Sequence, residues 1–327
     1  MPRVGMNPGR GKVSEYRPAR VTLAVLTYLP EQAGYFEHRL ETTRLCIESL
    51  VTNTPEPYDL LVFDNGSCRE LIDLLRAMRD EGKIDYLFLS GRNIGKIGAL
   101  QFIFHAAPGE IVAYTDDDVF FLPGWLDAHL KIIDTYPNVG QVTGFYIRPH
   151  MSYGNTSAMK LAEQPDVKVE RGLIIPKEWE QHYIDNMGRT WEKYNEEIAG
   201  LEDVALTYKG VDALVSAGHH QFVVKRSIML EALPNEWSGA LMGKMRDLDS
   251  EVDRLGYARL TTRQPVTRLI GNIVSPEMAA EARLYGITAS ARKQRETTGL
   301  MRRIYRLPVV QALARRVYNF MFRIINS

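Results

Sequence analysis

From Val21 onward the chain alternates short apolar runs of strand composition with segments whose apolar residues recur at helical spacing. VTLAVLT (21–27) reads as a strand, and after a loop through Pro30 and Gly34 the pattern of RLETTRLCIESLVTN (39–53) predicts a helix. YDLLVFD (58–64) predicts a second strand, Asn65-Gly66-Ser67 a turn, and RELIDLLRAMRDEG (69–82) a helix closed by Gly82. IDYLFLS (84–90) and a helix from about Lys96 to His105 make a third unit. The fourth strand, Ile111 to Tyr114, opens after Pro108-Gly109, and its helix begins near Pro123. Four such units within about a hundred residues imply an α/β fold: a mostly parallel central sheet with helices on both faces.

The fourth strand runs directly into Asp116, Asp117 and Asp118. In open α/β sheets ligands bind outside the carboxyl ends of the strands, so the triplet is the first candidate for chemistry. Adjacent carboxylates repel, and a hard divalent cation, Mg²⁺ or Mn²⁺, would relieve them while phosphate oxygens and water complete its shell. Most acidic triplets are solvated turns. Here Val119, Phe120, Phe121 and Leu122 follow at once and set the triplet between two apolar runs. TYLPEQ, with no Gly-x-Gly-x-x-Gly turn, begins at the end of the first strand, and no Gly-Lys-Ser/Thr loop occurs anywhere. A nucleotide would therefore be held by metal and side chains.

Beyond Arg148 the pattern is less regular. PKEWEQHYIDNMGRTWEKYNEEIA (176–199) is charged and aromatic and predicts helix with a break at Gly188, inside an insertion of about 150–209. GVDALVSAGHHQFVVKRSIM (210–229) returns to strand, turn and strand. This outlines a flexible N-terminal arm (1–20), one catalytic-sized domain (21–285) and a C-terminal segment (286–327).

Forty Lys and Arg balance forty Asp and Glu in 327 residues, so the total charge predicts no nucleic-acid partner. Cys46 and Cys68 lack metal or redox spacing and read as reduced thiols of a cytoplasmic protein. No uncharged run is long enough to span a bilayer. The neutral total hides a basic tail: from Arg292 nine Lys or Arg stand against Glu296 alone. On a helical wheel from Pro308, Val310, Leu313, Ala314, Val317, Met321, Ile324 and Ile325 share one face, with Arg315, Arg316, Asn319 and Arg323 opposite. This predicts an amphipathic helix lying on an anionic surface, such as the inner face of the plasma membrane. A homodimer contact would use the same face.

LAVLTYLP, LLVFDNGS, RNIGKIGAL and TDDDVFFLPGWL, in this order, resemble the successive signatures of family-two glycosyltransferases of the GT-A fold. The likeness is strongest from Val21 to Pro149 and continues to about Leu260. It implies a metal-dependent, inverting transfer from a UDP-, dTDP- or GDP-linked sugar to a glycan or lipid-linked acceptor, as in bacterial-type polysaccharide or glycolipid synthesis. The Asp-x-Asp pair carries onto Asp116 and Asp118, Asp118 as main metal ligand, with Asp117 between them. Asp64 and Asn65 take the place that reads base and ribose, beside Thr27 and Tyr28; Tyr28 either stacks on the base or packs. Asn93 and Lys96 match the loop under the nucleotide, where Lys96 would meet the diphosphate. His219 and His220 fall near the acceptor, or are hydrogen-bonded structure. Arg263 and Arg268 follow the last strand, toward the diphosphate. The general base would sit on the acidic helix before Gly256-Tyr257, Asp247 being preferred and Asp249 second. Two other readings stay open: a sugar-nucleotidyltransferase, and a degenerate GT-A domain that only binds.

Overall fold

The computed structural model describes residues 5–12, 15–236 and 243–292. The four predicted units form as β1 (Val21–Thr27) and α1 (Arg39–Thr52), β2 (Asp59–Asp64) and α2 (Arg69–Asp80), β3 (Tyr86–Leu89) and α3 (Lys96–Ala106), and β4 (Ile111–Asp116). A short β5 (Val119–Phe121) then precedes α4 (Trp125–Thr135) and β6 (Val139–Thr143). The following region holds a 3₁₀ turn at Arg148–Ser152, α5 (Thr156–Ala162), β7 (Val167–Gly172), α6 (Lys177–Asn186), α7 (Trp191–Glu197) and β8 (Asp203–Tyr208). The chain closes with β9 (Val211–Val215), β10 (Gln221–Lys225), α8 (Arg226–Ala232), α9 (Met245–Arg254), β11 (Ala258–Thr262), β12 (Thr267–Leu269) and α10 (Pro276–Leu284).

The ten-stranded sheet has the order β3-β2-β1-β4-β10-β6-β11-β9-β8-β7, and β12 pairs with β5 in a separate ribbon. Only β10, β9 and β7 run against the rest, so the sheet is mostly parallel. All seven residues of β1 are buried, as an uninterrupted apolar run in a doubly covered strand requires. Alternate residues serve the two faces. Leu23 and Val25 pack with Leu45, Leu71, Leu75 and Trp125 from α1, α2 and α4. Ala24 and Leu26 pack with Ile97, Leu100 and Phe104 of α3, Met229 of α8 and Leu248 of α9.

The region of the predicted insertion is not helical throughout. The break at Gly188 is present, its φ of 60° ending one helix before the next begins, but β7 and β8 extend the sheet on either side of the helices. VKVERG is exposed through its middle, whereas DVALTY is buried over its first four residues. Buried Arg148 ties this region down: Nε and Nη2 donate to Asp203 at 2.8 and 2.9 Å, and Nη1 donates to Glu180. Residues 15–20, read as part of a loose arm, are pinned at two points, because Tyr16 Oη and the Ala19 N–H donate to Asp59 at 3.1 and 2.8 Å. The predicted amphipathic helix beyond Pro308 lies outside the described residues.

Candidate active site

β4 carries Asp116 to the carboxyl edge of the sheet, and each acid of the triplet has a different environment. Asp116 is braced by the chain itself: Lys96 Nζ lies 2.6 and 2.7 Å from its two oxygens and Tyr114 Oη donates at 2.6 Å. Asp117 turns inward, 4 % exposed, where Arg39 and Thr43 of α1 both donate to it, Thr43 Oγ1 at 2.8 Å. Burial pushes the Asp117 carboxyl up to about 6 against the opposing pull of Arg39. Asp118 is about a third exposed; Arg39 Nη1 donates to its Oδ2 at 2.8 Å. Its Oδ1 has no partner among the described residues. Two buried cations, Arg39 and Lys96, therefore relieve most of the repulsion that the sequence reading assigned to a metal ion. α1 had given no signal of this, since an arginine opening a helix reads as surface.

Asp118 Oδ1 is the oxygen left open. Among the described residues no three His, Cys, Asp or Glu side chains gather as a metal site. A Mg²⁺ or Mn²⁺ ion of a phosphate site needs only one or two carboxylates, and the hard, partly exposed Asp118 oxygen fits that role. The described residues place the loop after β12 beside it: the Ile270 N–H donates to the Asp118 carbonyl at 2.8 Å, and Asn272 accepts from Arg39 at 3.4 Å. Arg268 stands further along this ribbon and donates only to its neighbour's carbonyl, Thr267 O, at 3.5 Å.

The predicted base-binding residues are joined by hydrogen bonds across the loops after β1, β2 and β3. Asp64 is fully buried; Thr27 Oγ1 donates to its Oδ1 at 3.1 Å, and the N–H groups of Gly66 and Ser67 donate to Oδ2. Asn65 donates to Asn93 Oδ1 at 3.0 Å and accepts from the Ile94 N–H at 2.9 Å, locking the two loops together. Gly66 is required there: its φ is 84°, and a Cβ would meet the backbone of Arg92 and Asn93 within 2.9 Å. Thr27, Asp64 and Asn65 thus also tie the loops together through their own polar atoms. Tyr28 keeps partial exposure and packs edge-on to Phe36 at 6.0 Å.

The acidic helix gives its two candidates different surroundings. Asp247 points to solvent, 68 % exposed at its side chain, and its nearest cation is Lys244 at 3.6 Å. α9 turns its apolar face, Met245, Leu248 and Val252, to the sheet, and Asp249 is buried with that face. Asp249 Oδ2 accepts from Tyr153 Oη at 3.1 Å and His219 Nδ1 at 3.0 Å, and lies 3.2 Å from Arg259 Nη2. Burial alone would raise its pKa, but Arg259, then His219, hold it below the usual carboxylate value. His220, the other predicted acceptor residue, is lowered to about 4 by burial and then by His219; its carbonyl accepts from the Asp116 N–H at 2.8 Å. Lys96 Nζ also reaches the His219 carbonyl at 3.4 Å. The triplet and the Asp249 cluster therefore adjoin through the short turn between β9 and β10. Tyr153, His150 and Arg259 were not foreseen; they come from a turn and a strand that carry no local motif.

A mostly parallel sheet whose fourth strand ends in this triplet, covered on both faces and braced through Asn65 and Asn93, is the arrangement expected of the GT-A fold. Residues 35–195, just under half of the chain, match the family described as Glycosyl transferase family 2. A curated relative, an uncharacterized glycosyltransferase of Rickettsia bellii (strain RML369-C), is 24 % identical over 118 residues, 36 % of this chain and 16 % of that one. Among solved structures, the mannosyltransferase PcManGT of Pyrobaculum calidifontis with GDP-Man and Mn²⁺ is 17 % identical. The match covers 77 % of this chain and 56 % of that one, with a TM-score of 0.43. GalNAc-T7 with UDP, GalNAc and Mn²⁺ is 12 % identical over 77 % and 44 % of the chains, TM-score 0.47. The chain thus spans about a sixth of the curated relative and about half of each solved chain.

Proposed function

We propose that this domain transfers a glycosyl group from a nucleotide-diphospho-sugar to an acceptor hydroxyl, with inversion at the anomeric carbon. The observation that carries the reading is the open Asp118 Oδ1 at the carboxyl edge of β4, on the edge where the Asn65–Asn93 bond joins the loops after β2 and β3. When bound there, Mg²⁺ or Mn²⁺ would supply charge neutralisation for the leaving diphosphate. Asp118 and Asp116 are the residues that would hold it.

The chain's own groups do the rest. Lys96 sits at the N-terminus of α3, where its ammonium and the helix end favour an anion. Thr27, Asp64, Asn65 and Asn93 fix the loops on which the base would lie, and Tyr28 offers it an aromatic face. Arg39 holds the carboxylates in register without leaving the interior. The acceptor hydroxyl would lose its proton at the Asp249 cluster, while attack from that side expels the diphosphate from the opposite face, which inverts the centre. The basic C-terminal segment supports a lipid-linked or membrane-proximal acceptor; no helix among the described residues is long and apolar enough to cross a membrane.

Incubation of the protein and Mn²⁺ with UDP-, dTDP- and GDP-sugars, followed by nucleoside diphosphate release, tests the reading. Release from one donor class is expected. Tight binding without any turnover would instead assign a binding module, and release of pyrophosphate on adding a nucleoside triphosphate and a sugar phosphate would assign a nucleotidyltransferase.

A further inference from the structure

The buried state of Asp249 raises a chemical problem for the proposed reaction. A carboxylate that is fully enclosed, with Oδ2 shared by Tyr153, His219 and Arg259, has no edge to offer an acceptor hydroxyl. Its Oδ1 is buried too and has no hydrogen-bond partner. His219, by contrast, is 29 % exposed at its side chain and is the one member of the cluster that joins Asp249 to the triplet. Its Nδ1 faces Asp249, so the proton on that nitrogen is fixed by the ionised acid and Nε2 is left as an acceptor. Nε2 has no partner among the described residues. The His219 carbonyl meanwhile lies 3.4 Å from the Lys96 ammonium that clasps Asp116.

We propose that His219 is the general base of the transfer and that Asp249 is its positioning residue. This rests on the glycosyltransferase reading. In the step, Nε2 takes the proton of the acceptor O–H as that oxygen bonds to the anomeric carbon, and the bond from that carbon to the diphosphate oxygen breaks with its electron pair leaving on the diphosphate. The imidazolium formed is stabilised by Asp249, whose charge is already balanced against Arg259 in the resting state.

The surroundings suit a single proton acceptor. His150 stacks against His219 with ring centroids 5.8 Å apart, and Gly218 makes room for this crowding: a Cβ there would lie 2.7 Å from His220 Nδ1 and 3.2 Å from His150. Burial holds His150 well below its ordinary pKa and His220 at about 4, so both flanking imidazoles are neutral near pH 7. The other ionisable groups of the cluster are Asp249 of α9, which meets the ring, Tyr153 after the 3₁₀ turn and Arg259 of β11, which meet Asp249, and Lys96 of α3 at the His219 carbonyl. The unpartnered nitrogens of His150 and His220 are buried, whereas His219 Nε2 belongs to a partly exposed ring.

The test needs no knowledge of the acceptor, since water can serve. Nucleoside diphosphate release from UDP-glucose, UDP-N-acetylglucosamine and GDP-mannose is followed with Mn²⁺ in wild type, His219→Gln, His219→Ala and Asp249→Asn. His219→Gln should lower kcat by about 100-fold or more, in the range general bases contribute, with donor KM and Mn²⁺-dependent UDP or GDP affinity unchanged. Added imidazole should restore part of the rate to His219→Ala. Asp249→Asn should lower kcat and shift the acidic limb of its pH profile downward, because the imidazole loses its carboxylate; a merely structural role would lower the rate and leave the limb in place. If His219→Gln stays within a few-fold of wild type, the proposal is overturned while the glycosyltransferase reading stands. If wild type binds these nucleotides but releases nothing from any donor, both fall.

Discussion

Replacing Arg39 by Met removes the cation that holds Asp117 and Asp118 while keeping most of the side chain's volume. Arg39 is 8 % exposed and Asp117 4 %, so the substitution leaves a buried carboxylate whose remaining partner is Thr43 Oγ1 at 2.8 Å. Breaking a buried pair by deleting one member costs about 3–5 kcal/mol, because the other charge stays desolvated. Here the cost is capped by protonation: burial already pushes Asp117 up to about 6 with Arg39 in place, and without it the carboxyl takes a proton at neutral pH. About 3 kcal/mol at pH 7 is the expected loss by this reasoning. Between the unfolded carboxyl value of about 3.9 and about 6 the folded Asp117 is protonated in wild type and variant alike and both lose stability in parallel, so over pH 4 to 7 the difference grows only above about 6. Urea denaturation of wild type, Arg39→Met, Asp117→Asn and the double variant across that range supplies the cycle. The double variant should recover much of the Arg39→Met loss. A loss within about 0.5 kcal/mol of wild type at pH 7, the range of ordinary surface changes, would refute the idea that Arg39 answers the triplet's repulsion.

Three further outcomes follow from other parts of the molecule. Buried His129, whose Nδ1 donates to the Trp125 carbonyl at 2.7 Å, has its pKa lowered from 6.5 to about 4 by burial. Below pH 6.5 the unfolded chain binds the proton that the folded one refuses, so stability falls with pH down to about 4; at about 1.4 kcal/mol per pKa unit this one site accounts for about 3 kcal/mol, and a chemical-denaturation series on His129→Gln should show a shallower fall. Gly66→Ala should weaken nucleotide binding at least ten-fold by calorimetry, since the Cβ would force Arg92 and Asn93 away from the Asn65 brace; unchanged affinity would show that these loops do not frame the base. Deleting Arg302 to Ser327 should abolish co-sedimentation with anionic vesicles, and salt should weaken it in the full chain; equal binding by the truncated protein would remove the membrane attachment from the account.

The sheet was legible wherever burial on both faces wrote a continuous apolar run, as in VTLAVLT and DLLVFD, and where a turn residue marked the end. β7 and β8 were not, because in VKVERG the middle of the strand is exposed and its composition is that of a surface segment. The triplet's importance could be read from its place between apolar runs. The identity of its counter-charges could not: Arg39 is separated from Asp117 by 78 positions and reaches it only through the packing of α1 on the sheet edge. The same limit applies to Asp247 and Asp249. Both lie in the same turn of α9, and which one faces the sheet depends on how Leu248 and Val252 seat against β11 and β6. His219 was visible as a residue of the acceptor side, but its pairing with Asp249 joins a turn to a helix 30 positions away.

The central claim is that Asp118 presents an open oxygen to a divalent ion carrying a nucleoside diphosphate. Isothermal titration of UDP, dTDP and GDP into wild type and Asp118→Ala, each with Mn²⁺ and with EDTA, tests it without any acceptor. The account predicts binding of one nucleotide in wild type with Mn²⁺, its loss in EDTA, and a weak, metal-indifferent signal in Asp118→Ala. Undiminished Mn²⁺-dependent binding in Asp118→Ala, or no binding of any nucleotide to wild type, would contradict it.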